Sequence, residues 1–317
     1  MRRWQVVALV ALLVMSVGTG ANLGGSPVAA LSTSDIRLSA LSVNQGSGLG
    51  VRITRLQSAQ RCVLRLVGPE SSQPRTVSVR NSRVKTTLSA AGLPLGDYVV
   101  RARCGKGVRA SSPKFSVIAK GAPTSATCDV VESGFSASAN YSTSYGAVLT
   151  NSSPVLTAKN VKLSITFKDA SGATLSTVSD TATDISPGEK IVVGMAYSAD
   201  HLDVASIAIS TVCDSTRDTA PAKLSGQAQT ITDNSADSWR YPTNIGGQFT
   251  NTTGFIIGTN SRIDYISRNA SGQITGGGRT APYPAVPVGA VGTWIAIDPV
   301  LPQNISSADW VLSPSQN

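Results

Sequence analysis

Residues 145–172 read YGAVLTNSSPVLTAKNVKLSITFKDASG, and residues 245–272 read IGGQFTNTTGFIIGTNSRIDYISRNASG. In this single register Gly146, Thr150, Asn151, Ala170, Ser171 and Gly172 meet identical residues, and Ser152 and Ser153 meet Thr252 and Thr253. One offset holding at both ends of a segment marks a duplicated unit. Within the first copy Ala147 and Leu149, then Val161, Leu163, Ile165 and Phe167, alternate with polar neighbours, which is the pattern of half-buried strands. Asp169-Ala170-Ser171-Gly172 and Ser186-Pro187-Gly188-Glu189 read as tight turns, with Asp or Pro opening them and Gly supplying the left-handed residue.

The second copy is diverged. Leu163 and Ile165 correspond to Ile263 and Tyr265, Asp169 to Asn269, and Gly188 to Gly289 after a slip of one residue. Trp310 falls where Ile209 does, Ser267 replaces Phe167, and no cysteine remains. The first copy, with its T-N turn, Phe167-x-Asp169-x-x-Gly172 hairpin and Pro187-Gly188-Glu189 turn, resembles the FxLYD-type β-sandwich domains of bacterial exported proteins; Lys168 stands where that family tends to have Tyr. The resemblance implies a non-enzymatic extracellular module and carries no catalytic residues across.

The rest of the chain divides around this pair. Residues 1–30 read as a signal peptide: Arg2 and Arg3 precede an apolar run from Val6 to Val17, followed by small-residue cleavage sites near 21 and 30. That run is short of the ~20 residues a membrane helix needs. Residues 35–118 read as a small immunoglobulin-like β-sandwich, 119–126 as a linker, and 127–214 as the first repeat. Residues 215–225 read as a second linker and 226–314 as the second repeat. The predicted fold is all-β, three consecutive sandwiches after a leader. Charged residues at 14 % leave little material for long surface helices.

Cys62, Cys104, Cys128 and Cys213 show no C-x-x-C spacing, so they read as two disulfides of an exported chain rather than a zinc or redox site. Domain boundaries favour Cys62–Cys104 and Cys128–Cys213. Cys62 follows the phase of Leu64 and Leu66, and Cys104 that of Tyr98, Val100 and Ala102, so a bridge between them is expected to cross the sandwich core. The immunoglobulin pattern is incomplete: no Trp lies between the two cysteines, and Tyr98 stands six residues before Cys104.

Charge is the most informative property of residues 35–118, where fourteen Lys and Arg face Asp35, Glu70 and Asp97 while residues 119–317 are net acidic. Such asymmetry points to a polyanionic partner, outside a cell a wall polymer or lipid headgroup. With no nucleic-acid-reading motif, none is expected as a partner. Arg61, Arg65, Arg101 and Arg103 are the candidate contacts. If their strands belong to opposite sheets, the charge instead coats the domain as a solvated surface.

Candidate chemistry is sparse. His201 between Asp200 and Asp203, and Asp233, Asn234 and Asp237, suggest metal sites but lack full ligand sets, so no metal or cofactor is expected. Glycines at 46–50 and 276–278 read as loops. Half of the sixteen aromatics fall in the last unit. Phe249, Tyr265, Trp294 and Trp310 follow strand alternation and read as core; Trp239, Tyr241 and Tyr283, in loops, are candidates for a ligand-stacking surface, the alternative being core or linker packing. Together these features describe an exported, envelope-associated binding or spacer protein without enzymatic activity. Its partner would be an envelope polymer or a surface protein; the alternative is an enzyme accessory or a hydrolase using His201.

Overall fold

The structure, a computed structural model, describes residues 35–56, 61–105, 108–138, 142–198, 203–233, 243–297 and 305–315. They form three successive β-sandwiches with no α-helix among the described residues, so the all-β expectation holds. The expected leader lies outside the described residues.

The first sandwich holds β1 (Ile36–Leu38), β2 (Ser42–Asn44), β3 (Gly48–Ile53), β4 (Arg61–Val67), β5 (Arg75–Ser78), β6 (Val84–Ser89), β7 (Gly96–Cys104), β8 (Val108–Ser111) and β9 (Phe115–Ile118). One sheet is ordered β1-β3-β6, and the other β2-β9-β7-β4-β5 with β8 beside β7. Alternate residues of β3, β4 and β7 point inward, so Leu49, Val51, Ile53, Leu64, Leu66 and Val100 form a dry core. Tyr98 is also buried, and its hydroxyl donates to the Pro94 carbonyl at 3.0 Å, which satisfies its polar tip. Gly48 and Gly50 lie in β3 rather than in the expected loop.

Cys62 and Cys104 are bonded, but not across the core as the sequence suggests. They sit directly opposite each other in the antiparallel pair β4–β7, with Cα atoms 4.1 Å apart. Strand phase reports which face a side chain takes, and two inward cysteines on neighbouring strands meet as readily as two on facing sheets.

The repeats share one plan. The first contains β10 (Asp129–Ser138), β11 (Ser142–Thr150), β12 (Thr157–Lys168), β13 (Thr174–Thr181), β14 (Lys190–Ser198) and β15 (Ser206–Thr216), in sheets β10-β11-β14 and β13-β12-β15. The second contains β16 (Leu224–Gln227), β17 (Thr230–Asp233), β18 (Thr243–Thr250), β19 (Arg262–Arg268), β20 (Ile274–Thr280), β21 (Val291–Ile297) and β22 (Ser307–Ser313). Its sheets are β17-β18-β21 and β16-β22-β19-β20.

The identical Asn of the duplicated motif has the same structural task in both copies. Asn151 Nδ2 donates to the carbonyls of Leu156 (2.7 Å) and Ile185 (3.0 Å); Asn251 Nδ2 donates to those of Phe255 and Val286 (both 2.8 Å). Each side-chain oxygen accepts from the amide two residues on. The buried amide thus replaces a missing ladder where the chain leaves its strand. Asp169 and Asn269 likewise organise the hairpin turns by accepting backbone amides, with Gly172 and Gly272 at positive φ closing them.

The cores differ. In the first copy Cys128 and Cys213 tie one sheet to the other. In the second, Tyr265, Trp294 and Trp310 pack with ring centroids about 6 Å apart, and Phe249 lies against Trp310. All four of these aromatics are buried, as their alternation predicts.

The two repeats also pack on each other. The outward face of β10-β11-β14 lies on the outward face of β20-β19-β22. Gly134, Gly146 and Gly194 stand in one row across the three strands of the first repeat. A methyl group on them would strike the carbonyls of Ile274, Gly276 and Tyr265 respectively. Gly276-Gly277-Gly278 is therefore the middle of strand β20, not a loop as the sequence suggests. A methyl on Gly277 would lie 2.8 Å from the Tyr145 carbonyl. Glycine in a strand marks the close approach of another backbone, and here it serves both partners.

The segments between sandwiches are tied down as well. Asn44 Nδ2 donates to the carbonyls of Ala119 and Ala122, and Arg217 reaches back to Asp97 (3.1 Å), the Leu41 carbonyl and Ser116.

Candidate functional site

The first candidate surface is the outward face of the β4–β7 sheet. Arg65 sits directly opposite Arg101, and Arg103 opposite Arg109 of β8. Arg61 lies on the same side of β4, so five exposed arginines share one face. Their expected division between two sheets is wrong, for the same reason as the disulfide: β4 and β7 are neighbours. Strands lie ~4.8 Å apart, so like charges directly opposite repel. Among the described residues none of the five is ion-paired; Arg65 Nε donates to the Ser72 carbonyl at 3.2 Å. The other sheet carries a smaller row, Arg37, Arg52 and Lys85, in direct register across β1, β3 and β6. Positive charge thus occupies both outward faces but is denser on one.

The second cluster lies between the repeats. Tyr145 Oη donates to Asp180 Oδ2 at 2.6 Å, and Arg279 bridges Asp180 (2.8 Å) and Asp264 (3.0 Å). Arg262 donates to Asp264 Oδ1 at 2.8 Å and to the Thr181 carbonyl at 2.6 Å. At the far end Arg268 joins Glu132 of the first repeat (2.6 Å) to Asp309 of the second (2.9 Å). Burial and the Asp180 carboxylate push the Tyr145 phenol far above its usual range, so it stays a donor; burial pushes Tyr197 up to about 12. Burial works against the charged form of Asp180, yet Tyr145 and Arg279 hold it below the usual carboxylate range. Asp264 is almost wholly enclosed, and burial pushes it up against the pull of its two guanidinium partners. The cluster has the chemistry of a clamp, with every acid and phenol engaged. It was missed in the sequence, although Asp264 and Arg279 are cross-strand partners in one hairpin.

The third surface is the outward face of β17-β18-β21. Gly246 forms its floor, with Thr230 and Ile295 directly opposite on either side. A groove of about 570 Å³ lies over it, bordered by Gln248, Thr293 and Tyr283. Tyr283 is 81 % exposed. Of the proposed stacking residues Tyr283 alone is placed; Trp239 and Tyr241 lie outside the described residues, as do His201, Asp200, Asn234 and Asp237. Among the described residues no group of acids, cysteines and histidines is arranged to hold a metal.

No family model matches the chain, and no curated protein matches it. Among solved structures it is similar to a mutant of Salmonella alpha-2-macroglobulin, at 13 % identity over 92 % of this chain and 22 % of that one, with a TM-score of 0.28. The chain spans about a fifth of that protein's length.

Proposed function

We propose that this is an exported, non-enzymatic binding or spacer protein of the cell envelope, built from an FxLYD-like pair of repeats behind a basic anchor domain. The observation that carries the reading is the face of Arg61, Arg65, Arg101, Arg103 and Arg109. Directly opposed, unpaired arginines cost stability in isolation, and a bound polyanion turns that cost into attraction. Guanidinium forks suit phosphate and carboxylate groups repeated along a polymer or packed at a headgroup surface. The two disulfides support an oxidising compartment outside the cytoplasm. The groove beside Tyr283 belongs to the second repeat and serves as a surface for protein or glycan.

The test is sedimentation of the chain from residue 31 with isolated bacterial envelopes at rising salt. Beside it run a variant reversing Arg61, Arg65, Arg101 and Arg103 to Glu and one reversing Arg37, Arg52 and Lys85. Binding is expected to weaken with salt and to fall at least ~10-fold in the first variant, with a smaller loss in the second. A bound fraction indifferent to salt and to both variants overturns the anchor.

A further inference from the structure

The duplication assigns equivalent sheets, and the equivalents have different fates. In the first repeat β10-β11-β14 is covered by the outward face of β20-β19-β22. The outward face of the matching sheet of the second repeat, β17-β18-β21, is covered by no other sheet among the described residues, and it carries Val291 and Ile295, both more than half exposed, beside Tyr283. Conversely, β20-β19-β22 in the second repeat matches β13-β12-β15 in the first. That sheet's outward face carries Val212, the most exposed large aliphatic side chain among the described residues. It projects from a surface of Ser164, Ser179 and Ser210.

We infer that the groove of the second repeat receives the Val212 face of a second copy of this chain, repeating between molecules the contact that joins the two repeats within one. The occupant follows from the internal pairing: the sheet type that covers the first repeat's face is β13-β12-β15 in its other occurrence. Gly246 occupies the position of Gly146, but Thr230 and Ile295 replace Gly134 and Gly194. The flat glycine row becomes a walled channel, whose shape accepts a projecting aliphatic side chain instead of a flush backbone. The groove is lined by uncharged residues, whereas on the other face Lys162 lies directly opposite Val212 and Asp184 and Asp214 border it, so the neutral groove opposes neither sign. The apolar tips meet without charge repulsion at their centre. Because the two faces differ, the contact is heterologous and propagates end to end.

This deepens the reading of the repeats as an interaction surface and is independent of the basic anchor. The experiment is sedimentation velocity on the chain from residue 31, over roughly 1 µM to 1 mM, where weak association becomes visible. Ile295→Asp and Val212→Asp are compared with the unaltered chain. The unaltered chain is expected to grow beyond a dimer with concentration. Each variant alone stays monomeric, and an equal mixture forms dimers only, because one intact face of each kind remains. A monomer at every concentration overturns the inference. So does a Val212→Asp chain that still dimerises, which would show two identical grooves meeting. Both substitutions sit at exposed positions, so unchanged melting temperatures confirm folding. Envelope sedimentation of the same variants reports the anchor separately and is expected not to change.

Discussion

The row Gly134–Gly146–Gly194 in the first repeat and the row Thr230–Gly246–Ile295 in the second occupy the same place in the same sheet. The first is pressed against the backbone of another sandwich, and the second faces a groove. Stacked sheets usually keep ~10 Å between them to house side chains. Removing three side chains in register on one side and offering Gly276-Gly277-Gly278 on the other lets main chains meet. The copies diverged in their cores and on their outward faces alike, while the turns and the buried Asn stayed the same.

The largest expected effect comes from breaking the clamp that only the covered face possesses. Arg279→Ala leaves Asp264 enclosed with one guanidinium partner and Asp180 buried with Tyr145 but no cation, and is expected to destabilise the paired repeats by about 3–5 kcal/mol in urea unfolding. Where the copies are alike they should respond alike. Asn151→Ala and Asn251→Ala each remove two side-chain hydrogen bonds to carbonyls, of which Ile185 and Val286 keep the amides of Ala158 and Ile257, and are expected to cost about 1–3 kcal/mol. A large inequality between them would break the equivalence of the repeats.

Acid sharpens the contrast further. The lowered Asp180 carboxyl contributes stability that is complete above its unfolded value of about 3.9 and is lost as pH falls through its lower folded value. Asp264 is raised by burial, so its ionisation opposes folding and its contribution grows as pH falls. Melting temperature measured from about pH 2 to 7 is expected to fall less steeply at the acid end in Asp180→Asn than in the unaltered chain.

Much of this fold was legible because local rules sufficed. Alternation placed Leu64, Ile165 and Trp310 in cores, and Asp169 with Gly172 marked a turn that the structure contains. What failed needed neighbours. The phase of Cys62 and Cys104 gave their face but could not tell adjacent strands from facing sheets, and the arginines beside them inherited the error. Gly134, Gly146 and Gly194 are far apart in sequence and form a row only once register is known. A run of three glycines looks like a loop until a second backbone is found lying on it. The groove under Tyr283 was anticipated only by its aromatic rim, because its floor is a glycine with nothing to announce it.

Differential scanning calorimetry of the chain from residue 31 tests the central claim, that the glycine rows fuse the repeats into one unit. Cooperative units melt as single transitions. The expected result is two transitions, one for the basic sandwich and one for both repeats together. Gly194→Ala, whose methyl meets the Tyr265 carbonyl and lies 2.6 Å from Gly278 N, should split the second into two; Gly246→Ala, which meets only its own sheet, should not. Three independent transitions in the unaltered chain would contradict the account.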